Sequence, residues 1–169
     1  SGVGVLYGKY DELGKLKPFI TGGDTVSDTR YDSYTMLEVP ARFEAGLQDY
    51  AGIIGAGTAA EYLSKIGMDE IQKHETELNV AITDQLSDIK KVTFIGPRDP
   101  KLRGGIMNFN IEGMNPHDVA MILDEIANIM LRSGKHCVHS WYNAHRLQGS
   151  VRASLYLYNT LGEVKTFAE

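Results

Sequence analysis

Apolar residues recur at helical spacing through residues 68–86, where Ile71, Leu78, Ile82 and Leu86 form one stripe and Glu70, Lys73 and Glu77 lie off it. This spacing predicts a long amphipathic helix. A helix of small residues precedes it, from about 50 to 63. Its run Ala51-Gly52-Ile53-Ile54-Gly55-Ala56-Gly57 admits close backbone approach, at a cost in helix propensity. Beyond residue 87 the period shortens. Residues 92–95 read as a strand ended by Gly96-Pro97, and residues 105–111 alternate Ile106, Asn108 and Asn110 against Met107, Phe109 and Ile111. Asn115-Pro116 opens a helix over 117–127 with the stripe Val119, Ile122, Leu123 and Ile126. Strands are expected at 129–132 and 150–156, and helices at 138–145 and 161–168. Upstream, Val3 to Tyr7 reads as a short strand, and residues 8–35, rich in Gly, Asp, Thr and Ser, as a long loop with little regular structure. Strands interleaved with helices from residue 87 onward indicate an α/β or α+β fold.

Composition narrows the function classes. The 169 residues are 43% hydrophobic and 23% charged, enough apolar material for a packed core. No apolar run approaches the ~20 residues of a membrane helix, and no basic, apolar leader opens the chain. The net charge of −5 argues against a general nucleic-acid surface. One cysteine forms no internal disulfide and suits a reducing compartment, so a cytoplasmic location is expected. The spacing of Cys137 with His136 and His139 is not that of a zinc site. The chain begins at Ser1, without methionine and within a strand-like run, as a piece of a longer protein or a processed terminus would.

The sole cysteine sits in Arg132-Ser133-Gly134-Lys135-His136-Cys137, between an expected strand and an expected helix. Basic neighbours and a helix start both favour a thiolate, the nucleophilic form. A small buried hydrophobe is the alternative, since most free cysteines are that. Arg152 lies on a strand among small and apolar residues. It calls for an anionic partner, either an internal acid or a bound carboxylate matched by its planar fork. Asp118 reads as a favourable charge at a helix start, His117 as a packing or capping residue, and Asn159 or Thr160 as the cap of the last helix.

Taken in order, these segments resemble the pyridoxal-phosphate-dependent cysteine desulfurases and selenocysteine lyases of the class V aminotransferase family. The resemblance runs through Gly2-Val3-Gly4-Val5-Leu6-Tyr7-Gly8, the Gly22-Gly23 loop, Arg42-Phe43-Glu44-Ala45-Gly46 and His74-Glu75. It continues through Pro116-His117-Asp118-Val119-Ala120, and from Arg152-Ala153-Ser154 to Tyr158-Asn159-Thr160. It implies a fold-type I transferase: residues 1–63 as the end of the large cofactor domain, 64–86 as a connecting helix, and 87–169 as the small C-terminal domain. By the same resemblance Cys137 takes sulfur from L-cysteine as a persulfide, Arg152 pairs with the substrate carboxylate, and Arg132, a supporting residue near the cysteine loop, joins Arg152 in binding substrate. Pyridoxal 5'-phosphate is the implied cofactor, its lysine expected upstream of Ser1, so that this chain alone is expected to be inactive. A homodimer and a sulfur-acceptor protein are the implied partners, with the Gly-rich loop and residues 42–50 facing the second subunit.

The chain departs from the family pattern at three places. Leu47-Gln48-Asp49 stand where Thr-Pro-Asn is usual, and the leucine side chain cannot replace a phosphate-binding threonine. Lys135 replaces a common histidine, and Val138-His139-Ser140 a more usual Ala-x-Pro. The alternatives are a selenocysteine lyase or another class V enzyme, and a non-enzymatic persulfide carrier.

Overall fold

The stripe at 68–86 becomes helix α3, Met68–Ser87, with Ile71, Leu78, Ile82 and Leu86 buried on one face. The computed structural model describes residues 2–169, which divide into two compact units between Lys65 and Ile66.

In the first unit, α1 (Tyr10–Lys15) is followed by an antiparallel hairpin of β1 (Val26–Thr29) and β2 (Tyr34–Met36), then by α2 (Tyr50–Ile66). Residues 8–35 therefore carry more structure than their composition predicts. The hairpin is almost wholly exposed, so no period-two apolar signal marks it, and its turn closes by Arg30 N–H donating to Ser33 O at 2.8 Å. Val3 to Tyr7 lie in no strand, because a strand is completed only by a neighbour's backbone groups and none among the described residues pairs with them. Asp49 caps α2, its Oδ1 accepting the Gly52 N–H at 3.0 Å, yet no residue of α2 is buried.

The second unit is a four-stranded antiparallel sheet in the order β3-β4-β6-β5, with β3 Val92–Ile95, β4 Ile106–Ile111, β5 Arg132–Gly134 and β6 Ser150–Ser154. Alternation sorts its two faces. Met107, Phe109, Val151 and Ala153 pack into a core with Leu78, Ile82 and Leu86 of α3, Val119 of α4 (Pro116–Ala127) and Val164 of α6 (Leu161–Ala168). Phe109 meets Phe167 edge to face at 5.9 Å. Residues of opposite parity, among them Asn108, Ser150 and Arg152, face the other way.

Local signals set the helix ends. Asn115 caps α4 by accepting the His117 N–H at 2.8 Å, with Pro116 in the first turn. Asn128, left-handed at φ 54°, ends α4, and the Ile129 N–H returns to Leu123 O at 3.1 Å. Residue 129 thus belongs to a helix cap, and the strand expected at 129–132 begins only at Arg132. Of the two proposed caps of α6, Thr160 serves, forming a reciprocal capping box with Glu163. Backbone and hydroxyl hydrogen bonds from Thr160 hold the Glu163 carboxyl below its ordinary range.

Candidate functional site

Edge strand β5 pairs with β6 so that Arg132 stands directly opposite Arg152 and Gly134 opposite Ser150. Asn108 of β4 flanks Arg152 from the other side. Directly opposed residues share a face, so Asn108, Arg132 and Arg152 line the sheet surface away from the apolar core. The cysteine loop leaves the end of β5, and α5 (His139–Ala144) brings the chain back towards β6.

Two glycines let this loop lie against β6. A Cβ on Gly149 would stand 2.9 Å from the carbonyl carbon of Gly134, closer than real Cβ contacts come. Past that point His136 and Cys137 are left-handed in succession, at φ 49° and 64°. For side-chain-bearing residues this costs roughly 1–2 kcal/mol each. The Val138 N–H closes the turn on Lys135 O at 2.8 Å, and Lys135 Nζ donates to Asn143 Oδ1 at 2.7 Å.

Cys137 is exposed at the tip of this turn, which excludes its reading as a small core residue. Arg132 Nη2 lies 3.4 Å from its Sγ. Arg152 is half-buried, and its Nε is buried without a partner. No acid pairs with Arg152 or Arg132 among the described residues, so the internal ion pair considered for Arg152 is not formed. Nor does the sequence supply one locally, since no Asp or Glu occurs between Glu125 and Glu163 while Arg132, Lys135, Arg146 and Arg152 all do. Like charges directly opposite one another are unfavourable in a sheet. Two uncompensated guanidinium groups on opposed strand positions, one of them within 3.4 Å of a thiol, suit an anion with planar acceptor geometry, such as a carboxylate.

The sheet surface also holds a hydrogen-bonded cluster that the sequence reading missed. Ser150, fully buried, lies 2.9 Å from His136 Nε2 and 2.6 Å from the hydroxyl of Tyr142, itself 3% exposed. Its own Oγ reaches Asn108 Oδ1 at 3.4 Å. The available signal was Ser150 alternating with apolar Val151 on a strand, since a polar residue on a buried strand needs a partner. Burial lowers the His136 pKa from its ordinary value, Arg152 and then Arg132 lower it further, and hydrogen bonding to Ser150 works the other way. His117, read as a packing or capping residue, sits on the helix side, with Nδ1 3.2 Å from Ser133 Oγ.

In the first unit, Arg42 Nε donates to Leu37 O at 3.1 Å, and the Gly46 N–H donates to Gly23 O at 2.8 Å, bringing the Gly-rich loop to the Arg42–Gly46 segment. Leu47 is 87% exposed and Gln48 donates to Gly46 O at 3.1 Å.

The sequence-family comparison is decisive, matching residues 1–167 to the aminotransferase class-V model. The chain belongs to the aminotransferase class-V family. Among curated relatives of this class V chain, a probable cysteine desulfurase of Methanothermobacter thermautotrophicus is 42% identical over 99% of this chain and 42% of its own length. The apo structure of a cysteine desulfurase from Thermococcus onnurineus aligns with TM-score 0.84 and 40% identity, over 89% of this chain and 37% of that one. The Escherichia coli cysteine desulfurase CsdA, in its S-sulfonic acid form, aligns with TM-score 0.86 and 26% identity over 96% of this chain and 39% of its own. This class V chain thus spans about two fifths of the length of the curated relatives it matches.

Proposed function

We propose that this chain is the thiol-bearing part of a pyridoxal-phosphate-dependent cysteine desulfurase acting on L-cysteine. The observation that carries the reading is the exposed Cys137, 3.4 Å from the Nη2 of Arg132, which stands directly opposite an Arg152 without an acidic partner. In this reading residues 1–63 close the large domain, 64–86 connect, and 87–169 form the small domain. The whole protein is a cytoplasmic homodimer that passes sulfur to an acceptor protein. No helix of the described residues is long and apolar enough to cross a membrane.

Arg152 binds the substrate carboxylate through its guanidinium fork and so orients the amino acid. Arg132 stabilises the Cys137 thiolate. The thiolate attacks the substrate sulfur. An S–S bond forms as the Cβ–S bond breaks, and the electron pair leaves with Cβ, which takes a proton to give alanine. The products are alanine and a Cys137 persulfide, and no external oxidant or reductant enters.

Pyridoxal phosphate, when bound, supplies the electron sink for charge at the substrate's α carbon. The described residues do not hold it. No lysine among them is buried, and the half-buried Lys135 is engaged by Asn143, whereas a Schiff-base amine is a desolvated one. We assign that lysine to sequence preceding residue 1.

The test is Cys137→Ala in the holoenzyme. It is expected to abolish both alanine release from cysteine and the gain of one sulfur by the protein in mass spectrometry. Retention of desulfuration of free cysteine by the variant overturns the role given to Cys137.

A further inference from the structure

We infer that His136, anchored by Ser150 and Tyr142, is the positioning residue that keeps the Cys137 thiol at the tip of its loop beside Arg132. The inference rests on the sulfur-transfer reading for its biological purpose, but the anchoring stands on separate observations. Left-handed residues in succession persist only where their surroundings over-determine them. Here the two at issue are His136 and Cys137, and Cys137 makes one polar side-chain contact, the 3.4 Å approach of Arg132 Nη2. The constraint therefore comes through His136, whose ring reaches a serine that is fully buried.

One arrangement of protons at that serine satisfies all three contacts. A hydroxyl has one hydrogen to donate and two lone pairs. Asn108 Oδ1 can only accept, so the Ser150 hydrogen goes there, at 3.4 Å. Tyr142 and His136 then both donate to Ser150 Oγ, at 2.6 and 2.9 Å. In this arrangement His136 is the Nε2–H tautomer. Its Nδ1 is buried and makes no hydrogen bond. The charged groups facing the ring are Arg152 of β6 and Arg132 of β5, and both oppose a positive imidazole. The anchor is thus a neutral histidine donating one hydrogen bond, from a position adjoining the nucleophile. Lys135 Nζ, bonded to Asn143, restrains the loop on its other side. Without the His136 bond, the backbone at 136–137 is free to relax out of the left-handed region, and the thiol turns away from Arg132.

Three variants test this, read by the rate and pH profile of Cys137 alkylation with iodoacetamide on the full chain, and by kcat and KM for cysteine in the holoenzyme. His136→Leu removes the donor, and its alkylation rate at neutral pH is expected to fall about tenfold, the worth of one hydrogen bond at a buried site. The alkylation profile should move to higher pH, and kcat should fall with KM unchanged. His136→Gln returns an N–H donor near the place of Nε2 and should stay within about threefold of the native rate. Tyr142→Phe keeps the ring but weakens the hold on Ser150, and should fall between the two. A native rate and profile for His136→Leu overturns the inference, as does a His136→Gln protein as impaired as His136→Leu. If His136→Leu fails to fold by circular dichroism, the Tyr142→Phe profile decides, and a native one overturns the inference. Desulfuration retained by Cys137→Ala would instead overturn the sulfur-transfer reading and leave the alkylation results standing.

Discussion

In the second unit, Leu78, Ile82, Met107, Phe109 and Val151 are each at most 1% exposed, whereas in the first Val5, Tyr7, Phe19 and Leu47 are each at least 87% exposed. Both units carry apolar residues and regular elements. Only the second brings a sheet face and several helices onto one another. Helix α2 forms over Tyr50–Ile66 with nothing buried, because a helix satisfies its backbone within itself. The apolar residues of the first unit gain little from burial inside this chain, and burial is what offsets the entropy of ordering. The second unit holds its own core, and it also places its chemistry on the opposite face of the same sheet, where rigid strands fix Arg132 and Arg152.

The largest test of this contrast is Phe109→Ala, which leaves a cavity among α3, β6 and α6 residues and should destabilise the second unit by about 3–5 kcal/mol in chemical denaturation. A loss below about 1 kcal/mol would show that the core is not what holds this unit. Thr160→Ala removes the α6 capping box and should cost about 1 kcal/mol, read by the same denaturation.

A smaller effect is expected of pH. The His136 imidazole is held neutral in the folded unit, so the unfolded chain binds more protons as pH falls below the ordinary imidazole value of about 6.5. Stability should therefore decline on acidification through that value, and His136→Gln should flatten the slope between mildly acidic and neutral pH. An unchanged slope in the variant would remove His136 as its source. The smallest effect belongs to Ile54→Ala on the exposed face of α2, expected to lie within about 0.5 kcal/mol of native. A loss of core size there would contradict the comparison with Phe109.

Much of the second unit was legible because its signals are local or periodic. The strand at 92–95 and the helix at 161–168 fall where alternation and capping residues put them. The fate of the strand expected at 129–132 shows the limit. Ile129 and Leu131 look β-forming, but the left-handed Asn128 draws residue 129 into a helix cap, and the ladder starts where β6 offers partners. The hairpin at 26–36 was missed because it buries almost nothing and so leaves no hydrophobic period, and Val3 to Tyr7 were over-read because a short apolar run between glycines suggests a strand without naming its neighbour.

The site divides along the same line. The order of residues alone established the basic cysteine loop, the family resemblance, and Cys137, Arg152 and Arg132 as the groups to examine. Tertiary structure decided that Cys137 is exposed, that Arg152 has no acid beside it, and that Ser150, Tyr142 and Asn108 converge on His136. The reason is physical: side-chain type and local backbone preference are written residue by residue, whereas exposure, charge compensation and hydrogen-bond partnership depend on segments far apart in the chain that only sheet pairing brings together.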